Sequence, residues 1–171
     1  IIELNFPLVY LMRRNATDSG GFGKYTGGMA PASIYMVKGT KDFKVNLYRH
    51  SQKTPPNWGM FGGYPGAPLE GLLVLDSDLP EWFSHSRVPT GFEDMEGLGG
   101  TVFNPPDRAN IQQKVVHEYD LMFNRLNAGG GYGDPLDRDP QAVAADLRRG
   151  AVSLNNAEKV YGVAIHPVTR Q

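Results

Sequence analysis

The stretch from Ala128 to Ile165 constrains the fold more than any other part of the chain. It opens with a glycine-rich loop that contains Gly129, Gly130, Gly131 and Gly133. Glycine has no Cβ, so this backbone can adopt positive φ and can approach another surface closely. The sequence therefore predicts a loop here, either tightly turned or packed against a neighbouring surface.

A turn and a helix are predicted directly after this loop. Asp134-Pro135 favours a turn, because the residue before a proline avoids the helical region. Asp139 is a candidate N-cap with proline at the first helical position. The residues Pro140–Arg149 are mostly good helix formers, and Gly150 is placed to end the helix. We expect a short capped helix.

A second short helix is predicted to follow at once. Ser153 is its candidate N-cap, since serine accepts hydrogen bonds from the first free backbone N–H groups. Apolar residues recur at helical spacing up to Gly162, which is placed to end the helix. The last apolar run, Val163–Ile165, is expected to form a short strand or a tail docked on the core.

The rest of the chain is predicted to be rich in strands and tight turns, since 171 residues include 21 glycines and 13 prolines. The fold class expected is therefore α+β, a β-rich module with glycine-rich loops and two short C-terminal helices. Residues 34–37 and 43–48 are expected to pair as a hairpin. Residues 76–106 are expected to be irregular, anchored by Trp82 and Phe83. The predicted strands are 8–12, 34–37, 43–48, 71–75, 111–116 and 118–127.

Composition excludes several classes of function. The chain has 17 Lys and Arg against 18 Asp and Glu, so nothing in its charge favours nucleic acid or an anionic membrane. It has no cysteine, which excludes disulfides and thiolate metal sites and is compatible with the cytoplasmic location that we expect. It has no run of about 20 apolar residues that would predict a membrane-spanning helix. The sequence indicates a single module, 1–171, without an internal linker.

Three further features are ambiguous from sequence alone. Gly21–Thr26 superficially resembles a phosphate loop, but the spacing G-x-x-x-x-G-K-[ST] fails, and turn geometry or close packing against a partner subunit is favoured for both glycine loops. Ser19 lacks the G-x-S-x-G context of a nucleophile, so a structural role is favoured. A third glycine- and proline-rich loop, 54–68, carries Trp58, Phe61 and Tyr64, which could line a pocket, fill an interface or fold back on the domain.

The histidines give no strong metal prediction. His50, His85, His117 and His166 are scattered, and none stands in an H-x-x-x-H or H-E-x-x-H arrangement. A site assembled in three dimensions with Asp18, Asp76 or Asp78 stays open, but surface or hydrogen-bonded histidines are the more usual outcome. No metal ligand is assigned.

Three segments together resemble the hydantoinase B family, the large subunits of ATP-dependent hydantoinases, 5-oxoprolinases and acetone and acetophenone carboxylases. Phe6-Pro7-Leu8 followed by D-S-G-G-F-G-K-Y-T-G-G at 18–28 is similar to the family's P-L … D-S-G-G-x-G-K-y-R-G-G, with Thr26 in place of arginine. W-G-M-F-G-G at 58–63 is similar to W-G-x-x-G-G. The segment 128–163 is similar to G-G-G-G-Y-G-D-P … R-D-P … V-S … Y-G-V.

The resemblance implies a larger protein and a hetero-oligomeric complex. Members are several times longer, so the chain is expected to be the C-terminal part of a B-type subunit, with Ile1 an internal position. Its implied partners are the rest of that subunit and a hydantoinase A-type subunit that phosphorylates an amide or enol-type oxygen of a small-molecule substrate. ATP and a divalent metal (Mg, Mn or Zn) are expected outside this chain, and the isolated chain is expected to be inactive.

Within that family the reaction stays open between a ketone carboxylase, slightly favoured, and a hydrolase of hydantoins, lactams or oxoproline. A non-catalytic assembly module and, less favoured, a stand-alone binding domain are further hypotheses. Catalytic residues are not assigned. The residues expected to shape a substrate wall or subunit interface are Asp18, Ser19, Gly20, Gly21, Lys24, Trp58, Gly129, Gly130, Gly131, Tyr132 and Asp134.

Overall fold

The computed structural model describes residues 1–47, 54–104 and 112–164. The chain divides into two compact units, each built from three separate stretches of sequence. The sheet unit comprises Ile1–Arg14, Ala32–Gln52 and Glu70–Arg125, and the glycine-loop unit comprises Asn15–Pro31, Lys53–Leu69 and Leu126–Gln171. Because each unit draws on the whole length of the chain, no single linker separates them, and the expectation of one module stays a prediction.

A five-stranded sheet in the order β1–β2–β7–β4–β5 forms the centre of the sheet unit. Strand β7 pairs antiparallel with both of its neighbours, so that Phe123 lies opposite Ile34 on β2 and Leu72 on β4. This position explains why Leu121, Met122 and Phe123 are all buried. The predicted β-rich α+β class is confirmed. The strands are β1 (Leu8–Asn15), β2 (Pro31–Val37), β3 (Phe43–Leu47), β4 (Glu70–Leu75), β5 (Thr101–Phe103), β6 (Gln112–Val116) and β7 (Leu121–Arg125).

The predicted hairpin between the second and third strands is wrong. β3 pairs with β6, whereas β2 lies between β1 and β7 in the other sheet. Residue 36 lies opposite residue 121, and residue 43 lies opposite residue 116. The two segments 31–47 and 112–125 therefore run antiparallel as two long arms, each interrupted by a turn. Alternating apolar residues identified the strands, but the loop at 38–42 connects consecutive parts of one arm and does not reverse it.

The expectation that residues 76–106 are irregular is only partly right. The segment contains the helix α2 (Leu79–Ser84), two 3-10 turns and the strand β5. Trp82 and Phe83 are half-buried, while Leu79, Met95 and Leu98 are fully buried. A six-residue helix whose N-cap Asp78 makes no side-chain capping bond leaves little signal in a sequence. The four-residue helix α1 (Ile2–Asn5) was likewise not predicted.

The two C-terminal helices are confirmed together with their caps. The helix α3 (Pro140–Arg148) begins after Asp139, whose carboxylate accepts a hydrogen bond from Gln141 N. The helix α4 (Leu154–Lys159) begins after Ser153, whose hydroxyl accepts one from Asn156 N. Gly150 and Gly162 follow the two helices with φ of 73° and 66°, a conformation that glycine adopts at low cost.

Within the described ranges no helix is both long and apolar enough to cross a lipid bilayer.

The glycine-loop unit has a small apolar core of its own, in which Val143, Val152, Ala157 and Tyr161 pack together. The parts of predictions that fall on Tyr48, His50, Ile111, Ile165 and His166 lie outside the described residues.

Candidate functional site

The three glycine-rich segments of the sequence meet in one unit. We define them as the first glycine loop (18–28), the second (54–68) and the third (129–133). Tyr132 of the third loop exchanges backbone hydrogen bonds of 3.0 and 2.9 Å with Tyr25 of the first. On its other side, Gly133 N donates to Met60 O and Met60 N donates to Gly131 O, both at 2.9 Å. The third loop therefore lies between the other two.

The first and second loops are also joined directly. Tyr64 N donates to Phe22 O at 2.7 Å, and Ala67 N donates to Ser19 O at 2.8 Å. Since every pair of loops shares backbone hydrogen bonds, the three segments form one continuous structure although they lie far apart in sequence.

The glycines are required because the loops pack backbone against backbone. A Cβ on any glycine of the set below would come closer than 3.0 Å to main-chain atoms, a separation that real Cβ atoms essentially never show. Backbone atoms cannot move aside by changing rotamer, so substitution would force the loops apart. The predicted close approach of backbones is confirmed, and the surface approached is the protein's own loops. Packing against a partner subunit stays a prediction. The set is Gly20, Gly21, Gly23, Gly27, Gly59, Gly63, Gly66, Gly129, Gly130 and Gly131.

This packing argues against phosphate binding by the glycine loops. A phosphate cradle needs several backbone N–H groups that point at the ligand. Here the N–H groups of Gly129, Gly131, Tyr132 and Gly133 all donate to carbonyl oxygens of the other two loops. The resemblance of Gly21–Thr26 to a phosphate loop is disfavoured for the same reason, because three of its N–H groups donate to carbonyl oxygens of the third loop: Gly21, Lys24 and Tyr25.

Asp18 and Ser19 are engaged in holding the first loop in place. The Ser19 hydroxyl is buried, donates to Ala16 O at 2.6 Å and accepts from Ala30 N at 2.8 Å. The Asp18 carboxylate accepts a hydrogen bond from Ser153 N at 2.8 Å. The backbone of Asp18 has a φ of 60°. Both polar groups thus stabilise the loop, which agrees with the structural role favoured for Ser19.

A buried ion-pair cluster that sequence reasoning missed lies beside the first loop. The Asp146 carboxylate is 4% exposed and contacts Arg138 Nη2 at 2.7 Å and Arg149 Nη2 at 2.6 Å. Arg138 Nη1 also donates to Lys24 O at 2.8 Å, which ties the cluster to the first glycine loop. Only the Asp146 and Arg149 pair, three residues apart at the end of α3, leaves a signal in the sequence.

Tyr161 brings a further polar group into this unit. Its ring packs edge-on against Phe22, with the centroids 5.7 Å apart. Burial raises the pKa of the Tyr161 hydroxyl, while Arg138 and the backbone N–H of Gly23 partly oppose this effect. Tyr161 thus serves as part of the core of this unit.

Several large apolar side chains of the loops are exposed to solvent. The exposed fractions are 63% for Tyr25, 67% for Trp58, 57% for Met60, 74% for Phe61 and 48% for Tyr132. The Phe61 and Tyr132 ring centroids lie 5.1 Å apart. Of the roles left open for the second loop, folding back on the domain therefore does not hold for Trp58 and Phe61, which lie at the surface. Tyr64 instead packs edge-on against Phe22 at 6.2 Å.

Those residues considered as metal ligands that the structure describes do not form a metal centre. The described ranges contain no group of three or more His, Asp or Glu side chains placed to share an ion. The Asp18 carboxylate accepts a hydrogen bond from Ser153 N. His117 Nδ1 lies within contact distance of Lys41 O and Asp42 Oδ1. The divalent metal implied by the family resemblance is expected outside this chain, and its position stays a prediction.

All eleven residues expected to shape a wall or interface belong to the glycine-loop unit. Lys24, Trp58 and Tyr132 are exposed, and Asp134 uses its carboxylate to accept a bond from Leu136 N at 2.9 Å. Their role in substrate binding or assembly stays a prediction. Sequence reasoning did not single out Tyr25, Met60, Arg138 or Asp146, because their importance depends on contacts between distant segments.

The match to a known family decides the identity of the chain. The family model described as hydantoinase B/oxoprolinase matches residues 1–135. The chain belongs to the hydantoinase B/oxoprolinase family. This confirms the resemblance carried by the glycine motifs.

Similarity to individual proteins extends beyond the residues matched by the family model. The chain is 36% identical to the acetone carboxylase alpha subunit of Xanthobacter autotrophicus, over 96% of this chain and 22% of that protein. It is 30% identical to the caprolactamase subunit beta of Pseudomonas jessenii, over 96% of this chain and 24% of that protein. The nucleotide-free structure of acetone carboxylase superposes with a TM-score of 0.80 at 34% identity, over 96% of this chain and 22% of that one.

The chain thus spans about a quarter or less of the length of these relatives.

Proposed function

We propose that the chain is part of a B-type subunit of an ATP-dependent carboxylase that carboxylates a ketone through a phosphorylated enol-type intermediate. The observation that carries this proposal is the likeness to acetone carboxylase, with a TM-score of 0.80 at 34% identity over 96% of the chain. All three glycine motifs belong to one unit of the chain.

The part played by this chain is to build a rigid surface of the subunit. Four N–H groups of the third glycine loop bond to the neighbouring loops, and the Asp18 and Ser19 side chains bond to backbone atoms. Groups held this way position a wall but do not transfer protons or attack substrate. The chemistry is therefore assigned to the rest of the complex.

The cofactors and partners follow from this division. ATP and a divalent metal would bind outside the described residues, which offer no cluster of metal-ligating side chains. A hydantoinase A-type subunit would transfer the phosphoryl group to the enol oxygen, and the remaining B-type subunit would complete carboxylation. The 171-residue chain by itself would have no turnover.

An assay on the purified complex tests the proposal. ATP hydrolysis is measured with a ketone and bicarbonate together, with each omitted in turn, and with a lactam or hydantoin alone. The proposal expects turnover only when ketone and bicarbonate are both present, with labelled bicarbonate recovered in a 3-oxoacid. Turnover with the lactam or hydantoin alone overturns it.

An ATP-dependent hydrolase of cyclic amides is the second candidate. It is favoured by the 30% identity to caprolactamase subunit beta, over 96% of the chain. The same assay separates the two reactions, because ring opening of a lactam needs water and no bicarbonate.

A purely assembling module is the third candidate, favoured by the internal use of the loops' polar groups. Deletion of residues 129–133 should then prevent subunits from associating. Association at the normal level with reduced turnover contradicts a purely assembling role, and gel filtration with an ATP assay on the same sample measures both.

A further inference from the structure

We propose that an aromatic surface of the glycine-loop unit is the contact face for the rest of the B-type subunit. We define the aromatic surface as Tyr25, Trp58, Met60, Phe61 and Tyr132. The inference rests on the family membership within the proposed function and does not depend on which reaction the complex performs.

The aromatic surface draws on all three glycine loops. Tyr25 comes from the first loop, Trp58, Met60 and Phe61 from the second, and Tyr132 from the third. Tyr132 holds the middle position, with its ring centroid 5.1 Å from Phe61 and 6.3 Å from Tyr25. The five side chains are 48–74% exposed, and the rings of Tyr25, Phe61 and Tyr132 form one exposed group. Grouped exposure of this kind marks an interaction site more often than scattered apolar residues do.

The backbone beneath the aromatic surface is held firmly. Tyr132 is bonded on one side to Tyr25 N and O, and its neighbours Gly131 and Gly133 are bonded to Met60. A surface held in this way loses little further freedom on binding, which favours tight association.

The conformation of Phe61 adds an independent indication. Phe61 has φ of 51°, in the left-handed region that bulky residues avoid, and Gly62 follows with φ of 94°. Its ring is 74% exposed, so the protein's own core gains little from a phenylalanine in this strained position. Strained residues that persist at a surface often mark a functional contact.

The side chains define the chemistry of the partner. Tyr, Trp, Phe and Met are the residues enriched in the cores of protein interfaces, and none of the five carries a charge at neutral pH. The matching face should be largely apolar, with acceptors for the two tyrosine hydroxyls. Exposed Lys24 next to Tyr25 would suit an acidic group at the rim.

The length of the relatives points to the occupant. The chain aligns over 96% of its residues but covers only 22% and 24% of the carboxylase and caprolactamase subunits. In a subunit of that size about three quarters of the polypeptide is available to cover this face. Being in the same chain, it is present at an effective concentration that a separate subunit or second copy does not reach.

Site-specific crosslinking in the assembled complex tests the inference. A photoreactive benzoylphenylalanine replaces Phe61 in the subunit that contains the 171 residues, and the crosslinked peptide is identified by mass spectrometry. Leu154 is the matched control, because it lies in the same unit and is 49% exposed. We expect Phe61 to crosslink to the same subunit outside residues 1–171, and Leu154 to give no such product.

Hydroxyl-radical oxidation supplies a second readout. Met60 should be oxidised in the separate 171-residue chain and lose that oxidation in the complex, whereas a Phe61→Ser variant should restore it. Crosslinks to an A-type subunit or to a second copy, no crosslink at all, or equal oxidation of Met60 in both samples each overturn the inference. None of these readouts uses ATP turnover, so a failed carboxylase assay leaves the result intact.

Discussion

Replacing Gly131 by alanine tests directly whether the glycines serve packing between the loops. The added Cβ would lie 2.6 Å from Phe22 C and 2.7 Å from Gly21 O, with Phe22 O closer still. All three are main-chain atoms, so the first and third loops must separate. Gly28 is the matched control, because it lies in the first loop, avoids positive φ and has nothing within 4 Å of its built Cβ.

The expected loss in the free energy of unfolding has two contributions. Overpacking a rigid site costs about 1–3 kcal/mol. Separation of the loops also weakens the hydrogen bonds from Gly21 N to Gly129 O and from Gly131 N to Tyr64 O, both 2.9 Å, at about 1 kcal/mol each. We therefore expect Gly131→Ala to lower the free energy of unfolding of the glycine-loop unit by about 3–5 kcal/mol. Gly28→Ala should change it by at most about 0.5 kcal/mol.

Urea unfolding followed by tryptophan fluorescence is a suitable assay, since each unit contains one tryptophan. Trp58 reports on the glycine-loop unit and Trp82 on the sheet unit. Single-tryptophan variants, with the other tryptophan replaced by phenylalanine, allow the transitions to be assigned. The urea concentration at the midpoint of the transition reported by Trp58 should be lower in the Gly131→Ala variant. Equal midpoints for Gly131→Ala and Gly28→Ala would refute the packing argument.

Three further predictions concern polar groups. Ser19→Ala leaves Ala30 N buried without its acceptor and should cost about 1–3 kcal/mol in urea unfolding, and an unchanged midpoint contradicts this. Arg138→Met removes the more buried partner of Asp146 and should cost about 3 kcal/mol by the same measurement, whereas a neutral or stabilising effect refutes it. Asp94 accepts from the backbone N–H of Thr90, which lowers its pKa below 3.8 in the folded chain. The ionised Asp94 carboxylate therefore contributes its full stabilisation above pH 3.8, and this is lost as the pH falls through the folded pKa. Asp94→Asn should reduce the fall in melting temperature with decreasing pH over that range. The same dependence of melting temperature on pH in both proteins counts against it.

The C-terminal helices were predictable because their determinants are local. Asp139 and Ser153 bond to N–H groups two and three residues ahead, and Gly150 and Gly162 adopt positive φ directly after the helices. Such features depend on a few neighbouring residues and can be read from the sequence.

The strand pairing was not predictable in the same way. Alternating residues indicated strands near 34–37 and 43–48, but partners at 121–125 and 112–116 lie more than 60 residues away. A short connection made a hairpin the simplest expectation, and burial of β2 between two neighbouring strands decided against it.

The candidate site was likewise predictable in its local features and not in its long-range contacts. The glycines indicated that backbones approach closely, and this was right. What they approach depended on the meeting of three distant loops, as did the burial of Asp146 between two arginines.

Amide hydrogen exchange of the third glycine loop tests the central claim most directly. If the glycine motifs exist to pack against one another, the N–H groups of Gly129, Gly131, Tyr132 and Gly133 exchange slowly in the free chain, because each donates to a carbonyl of another loop. Addition of ATP or inorganic phosphate should leave those rates unchanged. Fast exchange in the free chain that becomes slow only with ATP or phosphate would show that the glycines form a phosphate cradle instead.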